Sequence, residues 1–194
     1  MVNQVGKLGQ DVTILAEMAS EMADYLRSDV LFWPMMKGGL PKLTLGGYLM
    51  RQHRLLALPE LLSDEEQVVV DTAVTQFNQA LVEKIVRLEQ KAHQELEARI
   101  RQWGEYLKDF RWERGAAVAG YTSAVETRVM ITALIDKLQM PPYHLDPHIN
   151  KQIAVLDNNL RSRWRSGPFL WPEAWQPAYP RTEYWYLYGA VNGG

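Results

Sequence analysis

Apolar side chains recur along most of the chain at the three- and four-residue spacing of an amphipathic helix. The longest such pattern keeps an average step of about 3.6 residues, the period of a straight α-helix rather than of a supercoiled zipper. A capping box, Ser63 with Glu66, precedes it. We therefore predict one long spine helix over about residues 63–112, with Glu95 and Arg99 forming an i,i+4 ion pair on its solvent side.

Shorter helices are expected around this spine. The pattern predicts them over about residues 11–31, 44–58, 116–139 and 147–165. Asp11 is a suitable N-cap for the first of them, and Asp146 followed by Pro147 is a suitable start for the last. The second has its predicted apolar side at Leu45, Tyr48, Leu49, Gln52 and Leu56.

The helix predicted over residues 116–139 is apolar around most of its circumference, which is typical of a helix at the centre of a bundle. Strand patterns are nearly absent from the whole sequence. We therefore predict an all-α fold. It would be a single helical domain of residues 1–194, built as an elongated bundle of about five helices.

The chain continues into a segment dense in aromatic residues and proline. Eight of the 20 aromatic residues lie between Phe169 and Tyr188, and four prolines fall within residues 168–180. Proline at these positions prevents a continuous helix. We predict an extended arm over residues 167–189 that covers a groove of the bundle. The alternative is an arm that binds a partner through Trp171, Trp175, Tyr184, Trp185, Tyr186 and Tyr188.

Composition narrows the classes of function. The chain of 194 residues has a net charge of −2 and a pI near 6.1, so bulk charge gives no reason to expect nucleic acid or an anionic membrane as partner. It contains no cysteine, which excludes disulfides, thiolate nucleophiles and cysteine-ligated zinc. Neither a signal-peptide pattern nor a run of about 18 apolar residues is present. A cytoplasmic protein is expected.

Two charged residues, Glu126 and Arg128, interrupt the most apolar helix. A carboxyl group in a low-dielectric environment acquires a raised pKa and can act as an acid or a base. With Tyr121 on the same helix, these residues form a candidate ligand pocket. The alternative is that Glu126 pairs with an arginine of a neighbouring helix or reaches solvent.

Three arginines, Arg161, Arg163 and Arg165, flank a tryptophan near the end of the last predicted helix. Guanidinium groups suit phosphate or carboxylate, so this cluster is a candidate contact for an anion or a nucleic acid. Side chains two residues apart on a helix do not face each other, however. Cations at this end of a helix also complement its dipole.

Two histidines, His144 and His148, have the i,i+4 spacing of a helical metal pair. Because Pro147 begins the helix, His144 lies outside it and the two cannot share a helical face. We predict a capped turn here, and neither a metal site nor a cofactor.

These patterns contain no recognisable catalytic constellation. We therefore predict a non-catalytic protein–protein interaction or assembly module that self-associates, as a homodimer. The alternative is an enzyme or a small-ligand-binding protein with a polar pocket on the helix over residues 116–139. A nucleic-acid accessory protein that uses the three arginines is the weaker alternative.

Overall fold

The computed structural model consists mainly of α-helices, and it describes residues 2–82, 84–109 and 114–191. The α-helices are α1 (Val2–Arg27), α2 (Leu45–Ala57), α3 (Asp64–Val82), α4 (Ile85–Asp109), α5 (Arg114–Gln139) and α6 (Pro147–Arg161). Short 3-10 turns and one two-stranded sheet complete the regular structure of the described residues. The all-α prediction is confirmed. None of the described helices has the length and apolar character needed to cross a membrane.

Local sequence signals set the starts of two helices. Ser63 accepts a hydrogen bond from the backbone N–H of Glu66 at 3.2 Å, and the Glu66 carboxylate accepts one from the N–H of Ser63 at 2.9 Å. Asp146 accepts a hydrogen bond from the N–H of His148 at 2.8 Å, with Pro147 at the first position of α6. Both capped starts agree with the sequence prediction.

The first helix begins earlier than predicted. It starts at Val2, so Asp11 lies inside α1 and is buried rather than serving as an N-cap. The reason is that Leu8 belongs to the same buried stripe as Val12 and Leu15, so a helix that begins before residue 11 buries additional apolar surface in the core. The helix ends at Arg27 rather than near residue 31.

The long spine helix predicted over residues 63–112 is instead two helices, α3 and α4. The backbone N–H of Lys84 donates to the carbonyl of Leu81 and not to a residue four positions back, and α4 then begins at Ile85. Each half buries its apolar stripe on a different helix, α3 on α1 and α4 on α5. A straight helix over residues 63–112 would be longer than the diameter of a compact chain of this size, so its two halves could not both pack on other helices in this way. Residues 110–112 of the predicted helix lie outside the described residues.

Helices α2 and α5 form the centre of the bundle. The second helix packs against α1, α4 and α5, and α5 also packs against α4. The buried core runs through α5 at Val125, Val129, Ile131, Leu134 and Leu138, whose exposed fractions are at most 1%. The central position predicted for this helix agrees with its packing.

The predicted Glu95–Arg99 pair forms, but it is buried rather than on the solvent side. Glu95 is fully buried and accepts a hydrogen bond from Arg99 Nε at 2.6 Å. Both of its carboxylate oxygens also accept from the backbone N–H of Gly46 at 3.1 Å, in the first turn of α2. Arg99 donates further to Thr44, the N-cap residue of α2. The pair is buried because it binds the N-terminus of α2, where a carboxylate complements the helix dipole.

The C-terminal arm, residues 167–189, is not the single extended stretch that the sequence predicted. It contains two 3-10 turns, Glu173–Ala178 and Trp185–Leu187, and it is flanked by strands β1 (Trp164–Ser166) and β2 (Gly189–Val191), which pair antiparallel. Because residues 164–166 are in a strand, α6 ends before them. A Cβ at position 189 would meet the carbonyl oxygen of Arg165 at 2.0 Å, so this close pairing of strands requires glycine.

Candidate functional site

An open cleft of about 520 Å³ lies between α1, α2, α5 and the C-terminal arm. Its volume is in the range of small-molecule sites. We call it the arginine cleft, after two arginines of α2 that line it. Its wall is formed by Lys7, Gln10, Asp11, Ile14, Pro41, Arg51, Arg54, Thr122, Ser123, Glu126, Leu170, Trp171, Pro172 and Trp175.

A buried carboxylate holds the two arginines in place. Asp11 accepts a hydrogen bond from Arg51 Nε at 3.1 Å through one oxygen, and it accepts one from Arg54 Nη1 through the other. The i,i+3 spacing of the arginines puts both on the same face of α2. Arg51 also donates to the carbonyl of Gly47 at 2.9 Å. One carboxylate balances only one of the two guanidinium charges.

The C-terminal arm packs directly on Arg54. The guanidinium carbon lies 4.0 Å from the ring centre of Trp175 and 4.9 Å from that of Trp171, which are cation–π distances. Its Nε donates to the Tyr179 hydroxyl at 2.9 Å. Burial opposes the charge of Arg54, but Tyr179 and Asp11 outweigh that effect and its pKa lies above the ordinary value. Burial also raises the pKa of the Tyr179 phenol, which Arg54 partly counteracts.

Several polar atoms of the cleft have no partner among the residues that the structure describes. The Nη2 atoms of Arg51 and Arg54 form no hydrogen bond with the described residues, and the half-buried Glu126 carboxylate forms no hydrogen bond or ion pair with them. Together with Lys7 and Asp11, the lining carries three positive and two negative charges, a net charge of +1. The cleft therefore complements an anion.

The three residues of the predicted pocket do not converge. Glu126 lines the arginine cleft, but Tyr121 is buried and donates to the carbonyl of Tyr186 at 2.8 Å. Arg128 is also buried, and it forms a two-point ion pair with Asp157 at 3.0 and 2.9 Å. It lies 4.7 Å from the ring centre of Tyr186. The helical twist places Tyr121 and Arg128 on other faces of α5 than Glu126. There they attach the arm and α6 to α5.

The three arginines predicted as an anion contact are separated by secondary structure. Arg161 ends α6 and its guanidinium stacks on Trp185 at 3.7 Å. Arg163 donates to the carbonyl of Leu107, near the end of α4. Arg165 lies in β1. The structure thus does not bring them together into one site.

The aromatic residues predicted to bind a partner pack within their own chain. Tyr184 and Tyr186 are buried in the core, and the exposed fraction of Trp175 is 6%. Trp171, Trp185 and Tyr188 are half-buried, and each contacts another ring of the arm. The arm therefore covers the bundle.

A second, smaller cavity of about 240 Å³ lies where α2, α3 and α5 meet. Its lining includes His53, whose Nε2 donates to the carbonyl of Ala178 at 2.7 Å, because a carbonyl can only accept. It also includes Asp136, which is exposed at the mouth of the cavity but partly desolvated by its neighbours; this desolvation, followed by the charge of Glu183, raises its pKa to about 6. Gln52 contributes a buried side-chain oxygen that has no hydrogen-bond partner among the described residues.

The segment that contains His144 and His148 forms the predicted capped turn. His144 is exposed, and its Nδ1 lies 3.9 Å from a carboxylate oxygen of Glu89. Asp146 is occupied as the N-cap of α6. Across residues 2–82, 84–109 and 114–191, no group of three or more histidine, aspartate or glutamate side chains is arranged to hold a metal ion.

Sequence reasoning missed Asp11, Arg51 and Arg54 as site residues. Their one local signal is the i,i+3 spacing of the arginines on an otherwise apolar helix, whose buried face includes Arg51 and Arg54, whereas Leu56 is exposed.

Comparison of the chain with protein-family models, curated proteins and solved structures found no match. Function is therefore inferred from the chemistry of the arginine cleft.

Proposed function

We propose that the chain binds a small organic anion in the arginine cleft. The observation that carries this proposal is the pair of buried guanidinium groups, Arg51 and Arg54, whose Nη2 atoms have no acceptor among the described residues. Buried arginines are normally paired. The planar guanidinium matches the two oxygens of a carboxylate or phosphate. Asp11 orients both groups, so little ordering is required when an anion binds.

The rest of the cleft suits the body of an organic ligand. Ile14, Leu170, Trp171 and Pro172 provide apolar wall beside the charged end. Sites for small molecules combine such a wall with a few fixed polar groups. The ligand's anionic group would face α2 and its body would lie along the arm.

Binding rather than catalysis is proposed. General acid–base chemistry works best with a group whose pKa lies near the ambient pH. Asp136, whose pKa of about 6 is near that range, lines the smaller cavity and not the arginine cleft. The proposal includes the cytoplasmic location expected from the sequence, which fractionation of the native host would check.

Calorimetric titration with a panel of monocarboxylates, dicarboxylates and phosphate monoesters tests the proposal. We expect saturable binding of at least one class, weakened by salt because the contact is electrostatic. Substitution of the exposed Ser123 on the cleft wall, Ser123→Trp, should abolish that binding by filling the cleft. The matched control is Gln94→Trp on the exposed face of α4, which should bind as the wild type does.

Two results would contradict the proposal. One is the absence of binding by every compound at millimolar concentration. The other is binding that Ser123→Trp and Gln94→Trp leave equally intact, since that would place the ligand elsewhere.

We propose self-association as a second candidate function, carried by an exposed apolar patch where α3 meets α4. Val82, Ile85 and Val86 are exposed by 74%, 40% and 70%. Apolar patches of this kind often mark protein interfaces, and identical patches pair in a symmetric homodimer. Sedimentation velocity should show a concentration-dependent dimer that Val86→Lys disrupts by placing like charges together. A monomer at all concentrations would exclude this assembly role.

A further inference from the structure

Glu126 is a carboxylate that faces the arginine cleft without a partner in the described part of the chain. It is half-buried on α5 and forms no hydrogen bond or ion pair with the described residues. The buried carboxylates of the described residues contrast with it: Asp11 binds two arginines, and Glu95 binds Arg99 and Gly46. A partly desolvated carboxylate is costly unless a cation or a hydrogen-bond donor compensates it.

The positive groups, which Asp11 balances only in part, and the carboxylate of Glu126 lie on different elements of the cleft. The guanidinium groups of Arg51 and Arg54 project from α2, whereas Glu126 projects from α5. An anion that bound the arginines would place additional negative charge in the same cleft as Glu126. A ligand that carried an amine as well would remove this repulsion and pair with Glu126.

We infer that the ligand of the arginine cleft is an aminocarboxylate: its carboxylate binds Arg51 and Arg54, and its ammonium group binds Glu126. This inference rests on the proposed function and specifies its substrate class. The alternative cation for Glu126 is Lys7, which is exposed on the same cleft and forms no ion pair with the described residues. If Lys7 compensated Glu126 in solution, an amine on the ligand would add nothing.

Matched pairs of acids with and without an amine test the inference. Calorimetry on the full chain would compare acetate with glycine, propionate with β-alanine, butyrate with γ-aminobutyrate, and hexanoate with ε-aminohexanoate. One acid of the series has the carbon-chain length that lets its amine reach Glu126 while its carboxylate contacts the arginines. For that acid, the amine should tighten binding about fivefold relative to the plain acid, the upper range for a solvent-accessible ion pair. The series measures the separation of the two binding groups.

The variant Glu126→Gln tests whether the ammonium group of the ligand contacts Glu126. It should weaken binding of the preferred aminocarboxylate and strengthen binding of the plain acid, because it removes one attraction and one repulsion. The matched control Glu97→Gln makes the same chemical change on the exposed face of α4 and should preserve the wild-type preference.

The outcomes distinguish the inference from the function on which it rests. If the plain acids bind as tightly as their amino partners, the inference is wrong and anion binding stands. The same holds if Glu126→Gln leaves the ratio of the two affinities unchanged. If neither member of any pair binds, the inference is wrong, and the proposed function stands only if a dicarboxylate or a phosphate monoester of the calorimetric panel binds.

Discussion

The contact between Arg54 and Tyr179 attaches the C-terminal arm to α2, and removing one oxygen atom tests it. Tyr179→Phe deletes the hydroxyl that accepts from Arg54 Nε at 2.9 Å and keeps the ring. A buried hydrogen bond to a charged group contributes about 1.5–3 kcal/mol. Because Asp11 still pairs with Arg54, we expect a loss of about 1.5–2 kcal/mol in the free energy of unfolding. In a domain of this size that lowers the Tm by about 3–8 °C.

The control is the same chemical change where no hydrogen bond exists. The hydroxyl of Tyr143 forms no hydrogen bond with the described residues, although its ring is buried. Tyr143→Phe should therefore alter stability by less than about 0.5 kcal/mol. Urea denaturation of both variants, followed by circular dichroism, measures the difference. If the two variants are equally stable, Arg54 does not anchor the arm through Tyr179.

Further predictions concern stability elsewhere in the bundle. Gly46→Ala should lower the free energy of unfolding by about 1–3 kcal/mol, because the new methyl group would meet the buried Glu95 carboxylate at 2.7 Å. Gly104→Ala makes only ordinary contacts and should raise the free energy of unfolding by about 0.5–1 kcal/mol. Chemical denaturation measures both changes. Ser63→Ala should cost about 1 kcal/mol by removing the N-cap of α3, which the Tm would show. The pKa of Asp136 is about 6 in the folded chain and 3.8 as its ordinary value, so the native state holds this proton to higher pH and the contribution of Asp136 to stability falls as pH rises through that interval. Asp136→Asn should remove this dependence, so its Tm advantage over wild type should be larger at pH 7 than at pH 4, and equal advantages at the two pH values would contradict the assignment.

The parts of the fold that the sequence predicted correctly depend on interactions between near neighbours. The capping box of Ser63 and Glu66 sets the start of α3, and Asp146 with Pro147 sets the start of α6. These contacts form within one turn of chain, so the residue pattern is sufficient to identify them.

The parts that the sequence missed depend on how the helices meet. Glu95 and Arg99 have the spacing of a surface ion pair, and they are buried only because the N-terminus of α2 packs on them. Arg51 and Arg54 are on a buried face because Asp11 and the arm supply partners from 40 and 125 positions away in sequence. Periodicity along one helix contains no information about such partners.

The central claim is that Arg51 and Arg54 bind a small organic anion beside the aromatic arm. The most direct measurement is NMR titration of the full chain that follows the side-chain N–H resonances of these arginines and the indole N–H resonances of Trp171 and Trp175. With the best carboxylate from the calorimetric panel, we predict that these resonances shift and saturate together with the calorimetric Kd. If they stay fixed while the acid binds, or shift no more than those of the exposed Arg27, the arginine cleft is not the binding site.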